Sequence, residues 1–244
     1  MDRRSAERFY RYHHKSRGWY VFQVRVEQTD LWIRAQADLT RPAHDLVISF
    51  RRQLEKYIAS APRFLHALEP LEEDPLAPPL VQAMIRAGRA AGVGPMAAVA
   101  GAIAQAVAER LSRWSPSVLV ENGGDCYLMA SEELVVSIYP GEHSPFRDSL
   151  AIRLPADTFP WAVCTSSASI GHSLSLGRAD AATVLAKDAA LADACATALG
   201  NRIRRPEDLD PAMDWVRGIP GVEGALAICG DKLAAWGAVE LTVP

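Results

Sequence analysis

The first half of the chain combines one strand pair with a series of amphipathic helices. Apolar and polar positions alternate over 19–26 and 30–37 around a short polar break, which predicts a β-hairpin. Apolar residues then recur at helical spacing, and breaks rich in proline and glycine separate the segments. The predicted helices cover 42–60, 76–92 and 95–113. This half therefore predicts a hairpin followed by a layer of helices.

After Pro116 the pattern changes to short apolar runs typical of strands, separated by turns that contain Gly, Pro, Ser or Glu. The predicted strands are 117–121, 125–130, 134–139, 148–153, 159–164, 181–186, 223–229, 232–236 and 238–243, and helices are predicted at 188–200 and 206–217. No fixed-period repeat or low-complexity linker interrupts the chain. We therefore expect a single α+β domain over 1–244, with an antiparallel sheet packed against helices and a basic N-terminal arm at 1–18.

The helix predicted at 188–200 carries an unusual polar pair. Asp188 is a plausible N-cap, and Gly200 with Asn201 is a plausible C-terminal stop. Between them Asp193 and Thr197 lie four residues apart, hence on one face, among alanines. A carboxylate there is costly to bury unless it is paired, hydrogen-bonded or bound to a metal, and carboxylate and hydroxyl oxygens suit Mg²⁺ or Ca²⁺. In the alternative, Asp193 faces water and Thr197 bonds back to its own helix.

Composition narrows the classes of function. Of the 244 residues 49% are hydrophobic and 23% charged, as in ordinary globular proteins. A net charge of −3 argues against a general nucleic-acid binder. The four cysteines form no CxxC motif, which predicts reduced thiols instead of a zinc site or a disulfide framework. The sequence shows no apolar leader segment before residue 20 and no convincing membrane-spanning segment. We therefore expect a cytoplasmic protein without membrane or nucleic-acid partners.

Two loops are rich in groups that could bind a ligand. The sequence Glu-Asn-Gly-Gly-Asp at 121–125 joins two predicted strands, and its glycines allow close approach of the backbone to a sugar, a base or a metal. An ordinary turn is the alternative. The loop at 164–177 is dense in hydroxyls and could bind an anion. Within it Cys164 and His172 could form a nucleophile–base pair, whereas a cysteine that ends a strand is also commonly a small core residue.

Five motifs occur along the chain in a characteristic order. They are VGPMAAVAGAIA at 93–104, ENGGD at 121–125, CTSS at 164–167, GHSLSLGRADA at 171–181 and LADACATALGN at 191–201. Together they resemble an uncharacterised bacterial and archaeal protein family that is distantly related to ApbE, the FAD:protein FMN transferase. The resemblance spans most of the chain and implies an ApbE-like, tunnelling-fold-like α+β domain.

The resemblance also implies a metal and nucleotide site. In ApbE proteins an Ala-Asp-x-x-x-Thr motif helps to bind the Mg²⁺ that activates a flavin nucleotide, FAD or FMN. This motif matches Ala192, Asp193 and Thr197, and the main-chain carbonyl of Ala100 is implied as a third ligand. Together with the polar residues of the two loops, the predicted ligand-binding set is Asn122, Gly123, Gly124, Asp125, Thr165, Ser166, Ser167 and Ser173.

Two departures from the ApbE pattern affect the predicted activity. Where ApbE proteins carry a Lys-Gly pair this chain has Gly101 and Ala102, and the ApbE His-x-x-Asp-Pro motif becomes 172–176, in which the acid is missing. Phosphoryl transfer depends mainly on metal and positive charge at the phosphates. Binding of a nucleotide, flavin or other small anionic ligand with Mg²⁺ is therefore a better supported expectation than flavinyl transfer itself.

Two alternatives remain open. The resemblance links the family to sulfide assimilation and homocysteine formation, where Cys164 would carry persulfide sulfur; a donor-rich loop near His172 would lower the pKa of its thiol. The other alternative is a non-catalytic accessory protein that binds a partner through its sheet or its basic arm. The sequence predicts no oligomeric state.

Overall fold

A computed structural model describes residues 18–167 and 177–244. Its central layer is an eight-stranded sheet in the order β1-β2-β3-β4-β7-β8-β9-β10, in which all neighbours are antiparallel. These strands are β1 Tyr20–Val26, β2 Thr29–Ala35, β3 Val118–Asn122, β4 Asp125–Met129, β7 Trp161–Ser166, β8 Ala181–Ala186, β9 Val222–Cys229 and β10 Lys232–Gly237. A smaller sheet, in the order β11-β6-β5, contains β5 Leu134–Ser137, β6 Ala151–Leu154 and β11 Glu240–Thr242.

The helices cover one face of the large sheet, and the small sheet packs on the other. The helices are α1 Thr40–Ser60, α2 Arg63–His66, α3 Pro79–Ala91, α4 Val99–Leu111, α5 Ala189–Arg202 and α6 Leu209–Arg217. Alternate strand residues point to opposite faces: Val118 and Val120 lie in the core beneath the helices, whereas Leu119 belongs to the core shared with the small sheet. Since both faces are covered, strand β8 is buried along its whole length.

The predicted α+β class with an antiparallel sheet is confirmed, and most predicted elements lie within a few residues of the observed ones. Asp188 is the N-cap of α5, since its Oδ1 accepts the Leu191 amide at 2.9 Å. The helix continues through the stop predicted at Gly200 with Asn201 and ends at Arg202. Gly200 lies within the helix and faces β7 and β8, where an added Cβ would be in ordinary contact with the Ala182 Cβ at 3.5 Å.

Two further differences concern where elements begin. The helix predicted from Pro95 starts as a short 3₁₀ segment, Pro95–Ala98, before α4. The strand predicted from 148 begins at Ala151, since Asp148 has a φ of 56° and ends the preceding turn. The predicted basic arm lies outside the described residues, apart from Gly18.

No single helix in the described part of the chain is long and apolar enough to cross a membrane. Two consecutive helical segments, Pro79–Ala91 and Pro95–Leu111, are together long and apolar enough by length and composition alone, but the pair is bent by 107° at the break between them. Many of the residues of this pair are buried in the core beneath the helical layer.

Candidate functional site

Two buried carboxylates, Asp125 and Asp193, meet between the large sheet and the helical layer. Each residue is 8% exposed. Asp125 begins β4 and shares a strand face with Tyr127, which packs beneath the helices. Asp193 lies in the middle of α5, the helix that packs across β7 and β8. The negative charge of Asp193 acts on the Asp125 carboxyl and contributes to raising its pKa.

Asp193 accepts hydrogen bonds at the start of helix α4. The Gly101 amide donates to its Oδ2 at 2.9 Å, and this buried bond joins residues that are 92 positions apart. An amide in the first turn of a helix has no acceptor within the helix, and the N-terminal end favours negative charge. Burial nevertheless raises the pKa of Asp193 to about 7, against the lowering effect of bonds from the amides of Gly101 and Ala100. The alternative in which Asp193 faces water is therefore wrong.

The close packing of α4 on α5 depends on Gly101. A Cβ added at this position would lie 2.2 Å from the Ala189 carbonyl oxygen and 2.9 Å from the Asp193 Cβ. Because Gly101 has no side chain, the two helices can approach closely, and this brings the Gly101 amide within hydrogen-bonding distance of the Asp193 carboxylate. An isolated glycine in an alanine-rich helix can indicate close packing at its position, but it does not show which element packs there.

Asp125 is presented by a tight turn. Gly123 and Gly124 connect β3 to β4 with φ values of 71° and 107°, which are typical of a two-residue hairpin turn built from glycine. The Glu121 Oε1 accepts the Gly124 amide at 2.9 Å. Burial, followed by the negative charge of Asp193, raises the pKa of Asp125 well above its usual range, and Glu121 adds to this effect. Glu121 lies within the predicted segment 121–125 but is not among the predicted ligand-binding residues, and its role here is to hold the turn.

Asn122 bridges the turn to helix α4. Its Nδ2 donates to the Ala100 carbonyl oxygen at 3.0 Å. Asn122 is 8% exposed, and it is the register partner of Asp125 at the end of the hairpin. The carbonyl predicted as a metal ligand is thus already hydrogen-bonded.

Cys164 lies beside both carboxylates. It is fully buried in β7, where it pairs in register with Asp125, and its Sγ lies 3.7 Å from the Ala189 carbonyl oxygen. Burial and then the charges of Asp125 and Asp193 raise the pKa of the Cys164 thiol well above its usual range. Among the described residues, burial and anionic neighbours thus raise this pKa, opposite to the expected lowering, and His172, on which that expectation also depended, lies outside the described residues. A persulfide carrier requires a thiolate, which this environment disfavours.

The remaining predicted residues are distributed around this cluster. Thr165 projects to the opposite face of the sheet, where its Oγ1 lies 2.9 Å from the Thr183 Oγ1. Ser166 lies on the helical side, half-buried near Gly200, and Ser167 is half-buried after the end of β7. Thr197 is half-buried one turn beyond Asp193. His172 and Ser173 lie outside the described residues.

The cluster offers oxygen donors from carboxylates and a hydroxyl. Among the residues that the structure describes, no group of three or more His, Cys, Asp or Glu side chains is arranged to hold a metal ion. A cation site here would therefore combine Asp125 and Asp193 with neutral oxygens, such as the Thr197 hydroxyl. Hard cations such as Mg²⁺ accept such mixed oxygen sets and keep several waters.

Comparison with known proteins identifies the family. A family model described as "AbpE bacteria" matches residues 11–218. The UPF0280 protein of Methanocella arvoryzae is 46% identical over 216 residues, which cover 88% of this chain and 87% of the relative. The UPF0280 protein of Methanocaldococcus jannaschii is 34% identical over 227 residues, which cover 91% and 92%. The chain belongs to the UPF0280 family.

Solved structures relate the fold of this UPF0280 chain to ApbE. The flavinyl transferase ApbE of Pseudomonas stutzeri aligns with a TM-score of 0.57 at 14% identity, covering 90% of this chain and 94% of that chain. The flavin transferase ApbE of Vibrio cholerae aligns with a TM-score of 0.54 at 13% identity, covering 90% and 97%. The expected family, distantly related to ApbE, and the expected ApbE-like α+β fold are thus confirmed.

Proposed function

We propose that this UPF0280 protein binds a flavin nucleotide or a closely similar anionic ligand together with a divalent cation held by Asp125 and Asp193. The observation that carries this proposal is the pair of buried carboxylates, each with a raised pKa and one raising the pKa of the other. Two ionised carboxylates are expensive to bury together unless a cation compensates them. The flavin class is suggested by the two transferases that share the fold.

The residues present fit such a cation. Asp125 and Asp193 would supply anionic oxygens and Thr197 a hydroxyl, which is the donor chemistry that Mg²⁺ prefers. The Ala100 carbonyl oxygen is a weaker candidate, because it already accepts the Asn122 amide. A divalent cation bound there would supply positive charge for the phosphate groups of a ligand.

Two hydroxyl groups, those of Thr197 and Ser166, follow Asp193 along one face of α5. Asp193, Thr197 and Gly200 occupy positions i, i+4 and i+7 and therefore share one helix face. A Cβ on Gly200 would lie 3.7 Å from the Ser166 Oγ, so this hydroxyl borders the same face. The hydroxyls of Ser166 and Thr197, both half-buried, can donate to phosphate oxygens of a ligand next to the cation.

Thermal unfolding in the presence of ligands tests the proposal. The purified protein is heated with FMN, FAD, ATP or buffer, each with and without Mg²⁺. A ligand that binds only the folded state at a hundredfold excess over its Kd stabilises it by about 2.7 kcal/mol. We expect a shift of several degrees that requires both Mg²⁺ and a flavin nucleotide.

The matched variants are Asp193→Asn, which removes a buried carboxylate, and Asp188→Asn, which changes an exposed N-cap of the same helix to another good cap. We expect the first to abolish the ligand-dependent shift and the second to retain it. An undiminished shift in Asp193→Asn, or no shift with any nucleotide in the wild type, would refute the proposal.

A further inference from the structure

We infer that Asn122 is the positioning residue that holds the two carboxylates of the proposed cation site in register with each other. This inference rests on the proposed function. Asn122 itself is not assigned as a cation ligand, because its side-chain amide is engaged with the main chain of α4. It acts on each carboxylate through a different connection.

The connection to Asp193 runs through one peptide unit. The Asn122 Nδ2 donates to the Ala100 carbonyl oxygen at 3.0 Å, and the N–H of the same Ala100–Gly101 peptide donates to the Asp193 Oδ2 at 2.9 Å. This peptide is therefore fixed at both ends by side chains from other elements. Hydrogen bonds in such a chain polarise one another, so the bond from Asn122 also strengthens the donor that Asp193 accepts.

The connection to Asp125 runs through the β-hairpin. Asn122 and Asp125 are the last register pair before the turn, and only Gly123 and Gly124 separate them. Both glycines have positive φ, so the turn has a single compact geometry that transmits the position of one strand end to the other. Because the Asn122 side chain is anchored on α4, the position of Asp125 at the start of β4 is fixed as well.

Burial protects the hydrogen bond from Asn122 to Ala100 from competition with water. At 8% exposure the Asn122 amide has little access to water that could replace its protein partner. Loss of the amide would release the hairpin tip from the start of α4, and displacements well below 1 Å at a coordination site weaken metal binding. Substitutions next to metal ligands typically cost 10–100-fold in affinity.

The test measures cation affinity directly. Mn²⁺ replaces Mg²⁺ at oxygen sites, and its free concentration is followed by electron paramagnetic resonance in a titration of the full-length protein. The variant is Asn122→Leu, which keeps the approximate volume and removes the donor. Asn122→Ala provides the same test should leucine not pack. We expect Mn²⁺ binding to the variant to be at least tenfold weaker.

The control is Ser115→Ala. Ser115 is 1% exposed; its Oγ accepts the main-chain N–H of Gln36 at 2.9 Å and donates to the Ser117 carbonyl oxygen, so this substitution removes two hydrogen bonds that are not part of the site. Both substitutions lower the melting temperature, but only the change at Asn122 should lower the Mn²⁺ affinity. Equal affinities of Asn122→Leu and wild type would overturn the positioning role alone. No Mn²⁺ binding by the wild type would overturn the proposed function and this inference with it.

Discussion

Two opposing influences act on the pKa of the Asp193 side chain. Burial raises its pKa to about 7, while the amides of Ala100 and Gly101 stabilise the ionised form. The sequence indicated that this residue was unusual, because a lone carboxylate stood on an alanine-rich helix. It did not indicate the partner, since Gly101 lies 92 positions earlier and contributes only a main-chain N–H, which any residue type except proline carries.

This pKa predicts how stability depends on pH. Aspartate in an unfolded chain titrates near 3.9, so the folded state holds the Asp193 proton more tightly. The resulting stabilisation is complete below about pH 4 and is lost as the pH rises through about 7. The full effect is about 4 kcal/mol, from a pKa difference of about three units at 1.36 kcal/mol each.

Urea unfolding of the cation-free protein between pH 5 and pH 8 measures this dependence. The free energy of unfolding should fall with rising pH in the wild type. It should fall less steeply in Asp193→Asn, in which Asp125 is the carboxyl that still titrates within the pair. Identical slopes for the two proteins would contradict the assignment of the raised pKa to Asp193.

Among the elements, α4 and α5 make the contact that the site depends on. Local features of the sequence predict both helices: the spacing of apolar residues for α4, and the Asp188 N-cap with an alanine-rich interior for α5. A local pattern did not show that Gly200, a residue suited to ending a helix, lies within α5 against the sheet. The density of hydroxyls placed Thr165 in the predicted binding set, although strand alternation from Cys164 turns its side chain to the opposite face.

Gly101→Ala tests the helix contact. The added Cβ would meet the Ala189 carbonyl at 2.2 Å, and main-chain atoms cannot move aside as a flexible side chain can. We expect a loss of roughly 1–3 kcal/mol or more in the free energy of unfolding, despite the higher helix propensity of alanine. Chemical denaturation measures this loss.

Gly218→Ala is the matched control, because its added Cβ lies 3.4 Å from the Trp215 carbonyl oxygen and its φ of −76° suits alanine. This change should leave stability within about 0.5 kcal/mol. A comparable loss at both positions would mean that the α4–α5 contact has no special role.

For the molecule as a whole, the three layers divide the cysteines into two environments. Cys164, Cys195 and Cys229 are buried in the core on the helical side of the large sheet, whereas Cys126 is half-buried and packs on the side of the small sheet. This division could not be predicted from the sequence alone, since all four cysteines occur singly and outside any CxxC motif.

Alkylation of the native protein with iodoacetamide, followed by peptide mass spectrometry, should therefore modify Cys126 first. Cys164 and Cys195 should react together and slowly, at rates that follow the opening of the helical layer. A mild increase in denaturant should accelerate both to the same extent. Rapid and selective modification of Cys164 would contradict this order and would favour the persulfide-carrier alternative.

The hydrogen bond between Gly101 and Asp193 also has a consequence for the order in which the domain assembles. During synthesis the N-terminal part of the chain leaves the ribosome first, so α4 and the β3–β4 hairpin emerge well before α5. Closing a loop of 92 residues carries an entropic cost that the contacts made by α5 must offset. Until α5 docks, the Gly101 amide lacks its Asp193 acceptor and Asp125 lacks its carboxylate partner. The proposed cation site is therefore complete only after α5 has been synthesised and has docked on α4 and the β3–β4 hairpin.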